Sequence, residues 1–215
     1  MAPIRAMRQF AVAATVMLAA GCTTTSAGNP LPATNSESDE SSSSVPPSSS
    51  EQELPFAGAP KVDEPLDTAQ FQQDPCRALT AQQADALNVQ FPGEPNKGPL
   101  GNTCEFRGRS DRRALVDVRS LDKYPYGLSA TYQAEEDGKW EHFAALPPIG
   151  GYPAVAYGAV DQRDTGGCVV DVGTSDEVVF EVSLQLSTDN IGKKDPCETA
   201  AMVAGKVVET MKAAQ

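Results

Sequence analysis

The chain has 215 residues, with 17 Lys and Arg against 29 Asp and Glu, one histidine and a formal net charge of −12. That length suits one domain of ordinary size with extensions, or two small ones, and the acidic balance argues against nucleic acid as a partner, because phosphate binding needs a basic surface. Seventeen Pro, seventeen Gly and a polyserine tract exclude part of the chain from any packed core; the single histidine and the lack of metal-ligand spacing weaken most hydrolase readings.

Residues 1–21 read as a signal peptide of the lipoprotein type. Arg5 and Arg8 form a positive n-region, and Phe10 to Ala20 is an apolar stretch interrupted only by Thr15. At about eleven residues it is too short for a bilayer span, which takes roughly 20. Leu18-Ala19-Ala20-Gly21-Cys22 resembles the bacterial lipobox, in which the cysteine thiol receives a diacylglycerol group and a peptidase cuts before it. The strongest form of that box has Leu where Ala19 stands. Cys22 is therefore the expected lipidation site, and an ordinary cleaved signal peptide with a stray cysteine is the alternative. Two acyl chains would hold the mature chain on a membrane, each buried methylene adding ~0.8 kcal/mol. Loss of Arg5 and Arg8 takes the net charge from −12 to −14, so charge cannot be the anchor.

Residues 22–73 follow as a tether. From Thr23 to about Gln70 the chain is low in complexity, with TTTS, SESDESSSS and VPPSSSEQE and neither helical nor strand periodicity. Such a segment buries too little apolar surface to offset its ordering entropy and is expected to be disordered. Between Glu37 and Asp67 lie eight acids and one lysine. A flexible chain of about 48 residues reaches roughly 35–40 Å, which suits a spacer between membrane and wall. A partner-binding acidic arm is the rival reading.

Residues 74–215 are expected to form one extracellular α+β domain. Asp74-Pro75-Cys76 offers an N-cap followed by Pro at the first helical position, and Thr80-Ala81-Gln82-Gln83 is a capping-box pattern for a short helix to about Asn88. PGEPNKGPLGN, residues 92–102, reads as loop. Thr103 to Gly108 and Ala114 to Ser120 read as strands around the turn Arg109 to Arg112. Tyr126 to Asp137 reads as a helix with Leu128 and Tyr132 on one face. Pro153 to Gly158 and Cys168 to Gly173 are short strands. In Glu177 to Ser187, Val178, Phe180, Val182, Leu184 and Leu186 alternate with a mostly polar set, as in an antiparallel sheet covered on one side. Asp195-Pro196-Cys197-Glu198 starts the last helix, whose Ala200, Val203, Ala204, Val207, Val208 and Met211 form one stripe. That stripe should cover the apolar face of the sheet. The expected architecture is an antiparallel sheet with helices packed on one face.

Five cysteines are odd for an exported protein. With Cys22 lipidated, Cys76, Cys104, Cys168 and Cys197 remain, and an even number in an oxidising compartment implies two disulfides. The favoured pairing is Cys76–Cys104 with Cys168–Cys197, each joining a DPC helix start to a strand start; closing such a loop stabilises by roughly 3 kcal/mol. The nested pairing, Cys76–Cys197 with Cys104–Cys168, is nearly as good. No C-x-x-C pair or second histidine supports a metal site.

In order and spacing these pieces resemble an actinobacterial lipoprotein family known as domain of unknown function 3558. The resemblance is carried by Cys22 with its Ser/Pro-rich tether, Asp74-Pro75-Cys76 with Leu79, Cys104-Glu105-Phe106, Cys168-Val169-Val170 and Asp195-Pro196-Cys197-Glu198. It implies an envelope lipoprotein and transfers no catalytic residue.

Catalysis has little support from the residues. A Ser–His–acid site would have to use His142, in Trp140-Glu141-His142-Phe143, and no serine sits in a nucleophile motif. Glu135-Glu136-Asp137 reads as a solvated helix end, and the Gly-Gly pairs at 150–151 and 166–167 as turns. Neither a phosphate-cradling loop nor a dinucleotide fingerprint occurs, and no cofactor is expected. Arg107, Arg109, Arg112 and Arg113 gather at a hairpin, where guanidinium forks could meet anionic lipid headgroups or wall polymers; a solvated turn balanced by Glu105, Asp111 and Asp117 is the plainer view. Tyr124, Tyr126, Tyr132, Trp140, Phe143, Tyr152 and Tyr157 crowd the middle third, as a cleft lining or as core. The candidate ligand contacts are thus those four arginines with Trp140 and Tyr132. The expected function is a non-enzymatic module, lipid-anchored on the extracytoplasmic face of the cell membrane. It would bind an envelope lipid, a wall polymer or a protein partner. The alternatives are a carrier for an apolar envelope molecule and an enzyme of unrecognised type.

Overall fold

Alternating apolar residues become strands in two consecutive meanders in the computed structural model, which describes residues 53–123 and 126–215. The first meander is β1 (Glu94–Lys97), β2 (Asn102–Arg107) and β3 (Leu115–Ser120). The second is β4 (His142–Ile149), β5 (Tyr152–Gly158), β6 (Gly167–Gly173) and β7 (Val179–Gln185). Pairing of β3 with β7 fuses them into one antiparallel seven-stranded sheet of order β1-β2-β3-β7-β6-β5-β4. The helices are α1 (Ala69–Gln73), α2 (Ala81–Ala86), α3 (Ser129–Glu136) and α4 (Pro196–Ala213). Two of the seven strands escape the sequence reading. β1 falls in the expected loop at residues 92–102, and β4 carries Pro147-Pro148 beside a break in register. Both are edge strands, where a missing N–H costs no ladder bond.

The first sheet face carries the main core. Cys104, Phe106, Val116, Val118, Phe180, Val182, Leu184, Cys168, Val170 and Val172 point into it. The α4 stripe closes it, with Ala200, Val203, Ala204, Val207 and Val208 each at most 1% exposed. Fully burying each such valine contributes about 1.5–3 kcal/mol relative to leaving it in water. Asp195 begins α4 by accepting the N–H groups of Cys197 and Glu198. A complete capping box forms at Thr80 and Gln83 of α2, whose Gln83 amide also donates to the Lys206 carbonyl of α4. The disulfides are Cys76–Cys104 and Cys168–Cys197. Each ties a helix start to a strand of this face. At Gly101 (φ +151°) an added Cβ would lie 1.7 Å from the Ser120 carbonyl oxygen, so only glycine fits between β1 and β2.

Two expectations need correction. Helices do not cover one face alone. α3 lies on the opposite face, where Leu128, Val155, Val179 and Ala59 form a second buried cluster flanked by Tyr132, Phe143 and Tyr157. The period-2 pattern of β7 identifies its apolar side; it is blind to Val179 and Glu181, which are buried on the other side under residues distant in sequence. The tether boundary at 73 is also too late. Val62, Leu66 and Phe71 are buried in the main core. Backbone N–H groups of Phe56, Val62 and Leu66 donate to the Ser129 hydroxyl, the Asp176 carboxylate and the Thr174 carbonyl. Three apolar residues with no regular spacing suffice because their partners are non-local. The expected signal peptide, Cys22 and the tether up to residue 52 lie outside the described residues. Among the described residues no helix is long and apolar enough to cross a membrane.

Candidate functional site

On the second sheet face a row of polar residues runs beside the Val155 and Val179 cluster. Strand register sets Thr103 beside Arg119, Arg119 beside Glu181 and Glu181 beside Asp171, a polar row across β2, β3, β7 and β6. The Arg119 guanidinium donates to Thr103 Oγ1 at 3.1 Å and to Glu181 Oε1 at 2.9 Å. Tyr157 of β5 reaches the row with its hydroxyl 2.8 Å from Glu181 Oε2 and 3.3 Å from Asp171 Oδ1, and Thr131 of α3 donates to Asp171 Oδ2 at 2.8 Å.

Burial sets the electrostatics of the row. Asp171 is fully buried, and desolvation, with Glu181 adding to it, holds its carboxyl well above the usual carboxylate range. The Tyr157 O–H faces both carboxyls as donor, with the shorter contact to Glu181. Burial and the two carboxyls push the Tyr157 hydroxyl far up, so it stays protonated. The row is a connected network in which Tyr157 bridges Asp171 and Glu181, and Glu181 pairs with Arg119. Nearer the sheet edge, desolvation, with Glu105 adding to it, pushes Asp117 up to about 6.

Beside the row lies a cleft of about 380 Å³, within the roughly 300–1,000 Å³ typical of small-molecule sites. Trp140 and Tyr157 form its aromatic side, Arg119 and Glu181 its floor, and Gln162 and Arg163 its rim. Trp140 is placed by the end of α3. Gly138 (φ +66°) lets the chain reverse, Lys139 N–H donates to the Ala134 carbonyl, and the indole Nε1–H donates to the Thr131 carbonyl at 2.9 Å. The indole packs on the Tyr157 ring with centroids 4.7 Å apart. At the rim, Arg163 grips Asp161 through two hydrogen bonds, which hold the Asp161 carboxyl far below its usual range. Glu141 pins this loop by accepting the Asp161 N–H.

The residues singled out from sequence divide. Trp140 lines the cleft. Tyr132 does not line it and packs edge-on against Phe143 beside the second buried cluster. The four hairpin arginines do not converge: Arg107 pairs with Glu105, Arg109 reaches Asp85 of α2, and Arg112 and Arg113 stand exposed in the turn. The guanidinium groups that reach the cleft belong to Arg119 and Arg163, which no motif marks. Only strand register and a loop turn bring them there. The aromatic set splits as well. Tyr152 faces the main core under Lys212, Tyr126 is exposed against Phe56, and Tyr124 lies outside the described residues. His142 also lines the cleft, with its Nε2 3.9 Å from the disulfide sulfur of Cys197. Among the described residues no group of three or more His, Cys, Asp or Glu could hold a metal ion.

The family described as protein of unknown function (DUF3558) matches residues 17–210. No curated protein and no solved structure matches the chain.

Proposed function

The chain belongs to the DUF3558 family, and from that premise we propose that it is a membrane-anchored binding module of the cell envelope, held by an acylated Cys22 and presenting the Trp140 cleft to an envelope component. The lipobox-like run Leu18 to Cys22 and the short apolar stretch before it support export and anchoring. Two disulfides suit an oxidising compartment. The observation that carries the binding role is the cleft itself, a recess with an immobilised aromatic side and convergent polar groups.

The packing favours this reading over a carrier with an internal acyl chamber. On the helix-covered side the recess beside Phe71 and Met211 holds about 10 Å³, and the larger one of about 270 Å³ along Val116, Leu184 and Val203 also carries Ser110, Asp111 and Lys194, a poor lining for an acyl chain. The Tyr157 hydroxyl is committed to Glu181 and Asp171, which favours binding over turnover.

Native mass spectrometry of the protein from the cells that make it tests the proposal. The expected result is a chain beginning at a diacylated Cys22 with a bound component that Trp140→Ala loses. An unmodified Cys22, or a wild-type chain without any bound mass and without a cross-linked neighbour, would overturn it.

A further inference from the structure

We propose that the cleft takes a neutral saccharide, an inference that rests on the binding role proposed above and gives that role a ligand class. Charge decides against the main competitor. The two guanidinium groups of the cleft are each already matched by a carboxylate, Arg119 by Glu181 at 2.9 Å and Arg163 by Asp161 at 2.7 Å. The lining therefore carries no net positive charge, and a phosphate or an anionic headgroup would meet both carboxylates.

An acyl chain fares no better. It would strip water from the Arg119–Glu181 and Arg163–Asp161 pairs and return no hydrogen bond, and an unsatisfied charged group is costly. A sugar ring matches both halves of the lining. Its C–H face is apolar and flat enough to lie on an aromatic surface. Its hydroxyl edge both donates and accepts. Paired planar groups such as Arg119–Glu181 set N–H donors and carboxylate lone pairs side by side, and Gln162 and Ser183 add an amide and a hydroxyl.

The platform is also rigid, which lowers the ordering cost of a weak polar ligand. The indole is held by its Nε1–H bond to Thr131 and by Tyr157, the Tyr157 hydroxyl by Glu181, and the rim loop by Glu141. None of these ties uses the Gln162 side chain. That residue is exposed on the rim, so its substitution leaves the supporting network intact.

The chain has a single tryptophan, and it lines the cleft. Emission of the purified full-length protein is titrated with neutral gluco-, manno- and N-acetylglucosamine oligosaccharides, and separately with inorganic phosphate and with phosphatidylglycerol vesicles. The expected result is a saturable shift with at least one oligosaccharide and none with phosphate or vesicles. Calorimetry should show affinity for that sugar falling about tenfold in Gln162→Ala, equivalent to ~1.4 kcal/mol, and disappearing in Trp140→Ala. Should Trp140→Ala fail to fold, Gln162→Ala decides alone. A response to vesicles or phosphate but to no sugar overturns the ligand class and leaves the binding role standing. A flat response to every probe, with a bound component still present by native mass spectrometry, removes the cleft as the seat. Sugar binding unchanged in Gln162→Ala also overturns the assignment.

Discussion

Arg119→Met tests whether the polar row is a structural unit. The Glu181 side chain is 9% exposed and its Oε1 takes a hydrogen bond from Arg119 at 2.9 Å. Without the guanidinium, the carboxylate keeps only the Tyr157 hydroxyl and lies beside Asp171 with no countercharge. Removing one partner of a buried pair typically costs 3–5 kcal/mol. Because the Arg119 side chain is 30% exposed, water replaces part of its effect, and the expected loss is about 3 kcal/mol at pH 7, a large share of a usual 5–15 kcal/mol. In the variant the penalty belongs to the charged form of a buried carboxylate without its countercharge, so the loss should be smaller in acid, where carboxylates are protonated in both states. Urea unfolding of the oxidised protein, followed by Trp140 emission, measures it. Arg119→Met with Glu181→Leu removes both charges and should recover most of the loss. A cost below about 1 kcal/mol without pH dependence, or additive behaviour of the two substitutions, would refute the reasoning.

Three further outcomes follow from the same structure. Burial pushes the Asp117 carboxyl up to about 6 in the folded state, so it opposes folding as pH rises between roughly 4 and 6; full conversion would be ~3 kcal/mol, which partial exposure cuts to roughly 1. Asp117→Asn should stabilise by that amount at pH 7 and by nothing below about pH 4, as read from urea midpoints. In Gly101→Ala the new methyl would lie 1.7 Å from the Ser120 oxygen; the expected loss exceeds about 2 kcal/mol in thermal unfolding. Replacing Cys168 and Cys197 together with alanine opens a loop of sequence separation 29 and should cost about 3.5 kcal/mol, with an unchanged transition excluding a loop-entropy role.

Much of the fold is legible in the chain because it is local. Period-2 alternation in β7, the turn between β2 and β3, the Thr80–Gln83 box, the Asp195 cap and the α4 stripe are short-range patterns, and each appears where its residues call for it. Cysteine parity and the two DPC starts lead to the observed disulfides, although spacing alone leaves the nested pairing open. What the sequence cannot display is register between strands far apart in the chain. Arg119, Glu181 and Asp171 become neighbours only because β3 pairs with β7 and β7 with β6. Val62, Leu66 and Phe71 join the core, and α3 closes the second face, through non-local contacts that leave no period behind. Trp140 stands out as the single indole of the chain; that it borders a cleft floored by a neutralised ion pair was decided by the closing of two meanders into one sheet. Side-chain patterning selects which face of an element is buried, and the pairing of elements distant in sequence selects what that face meets.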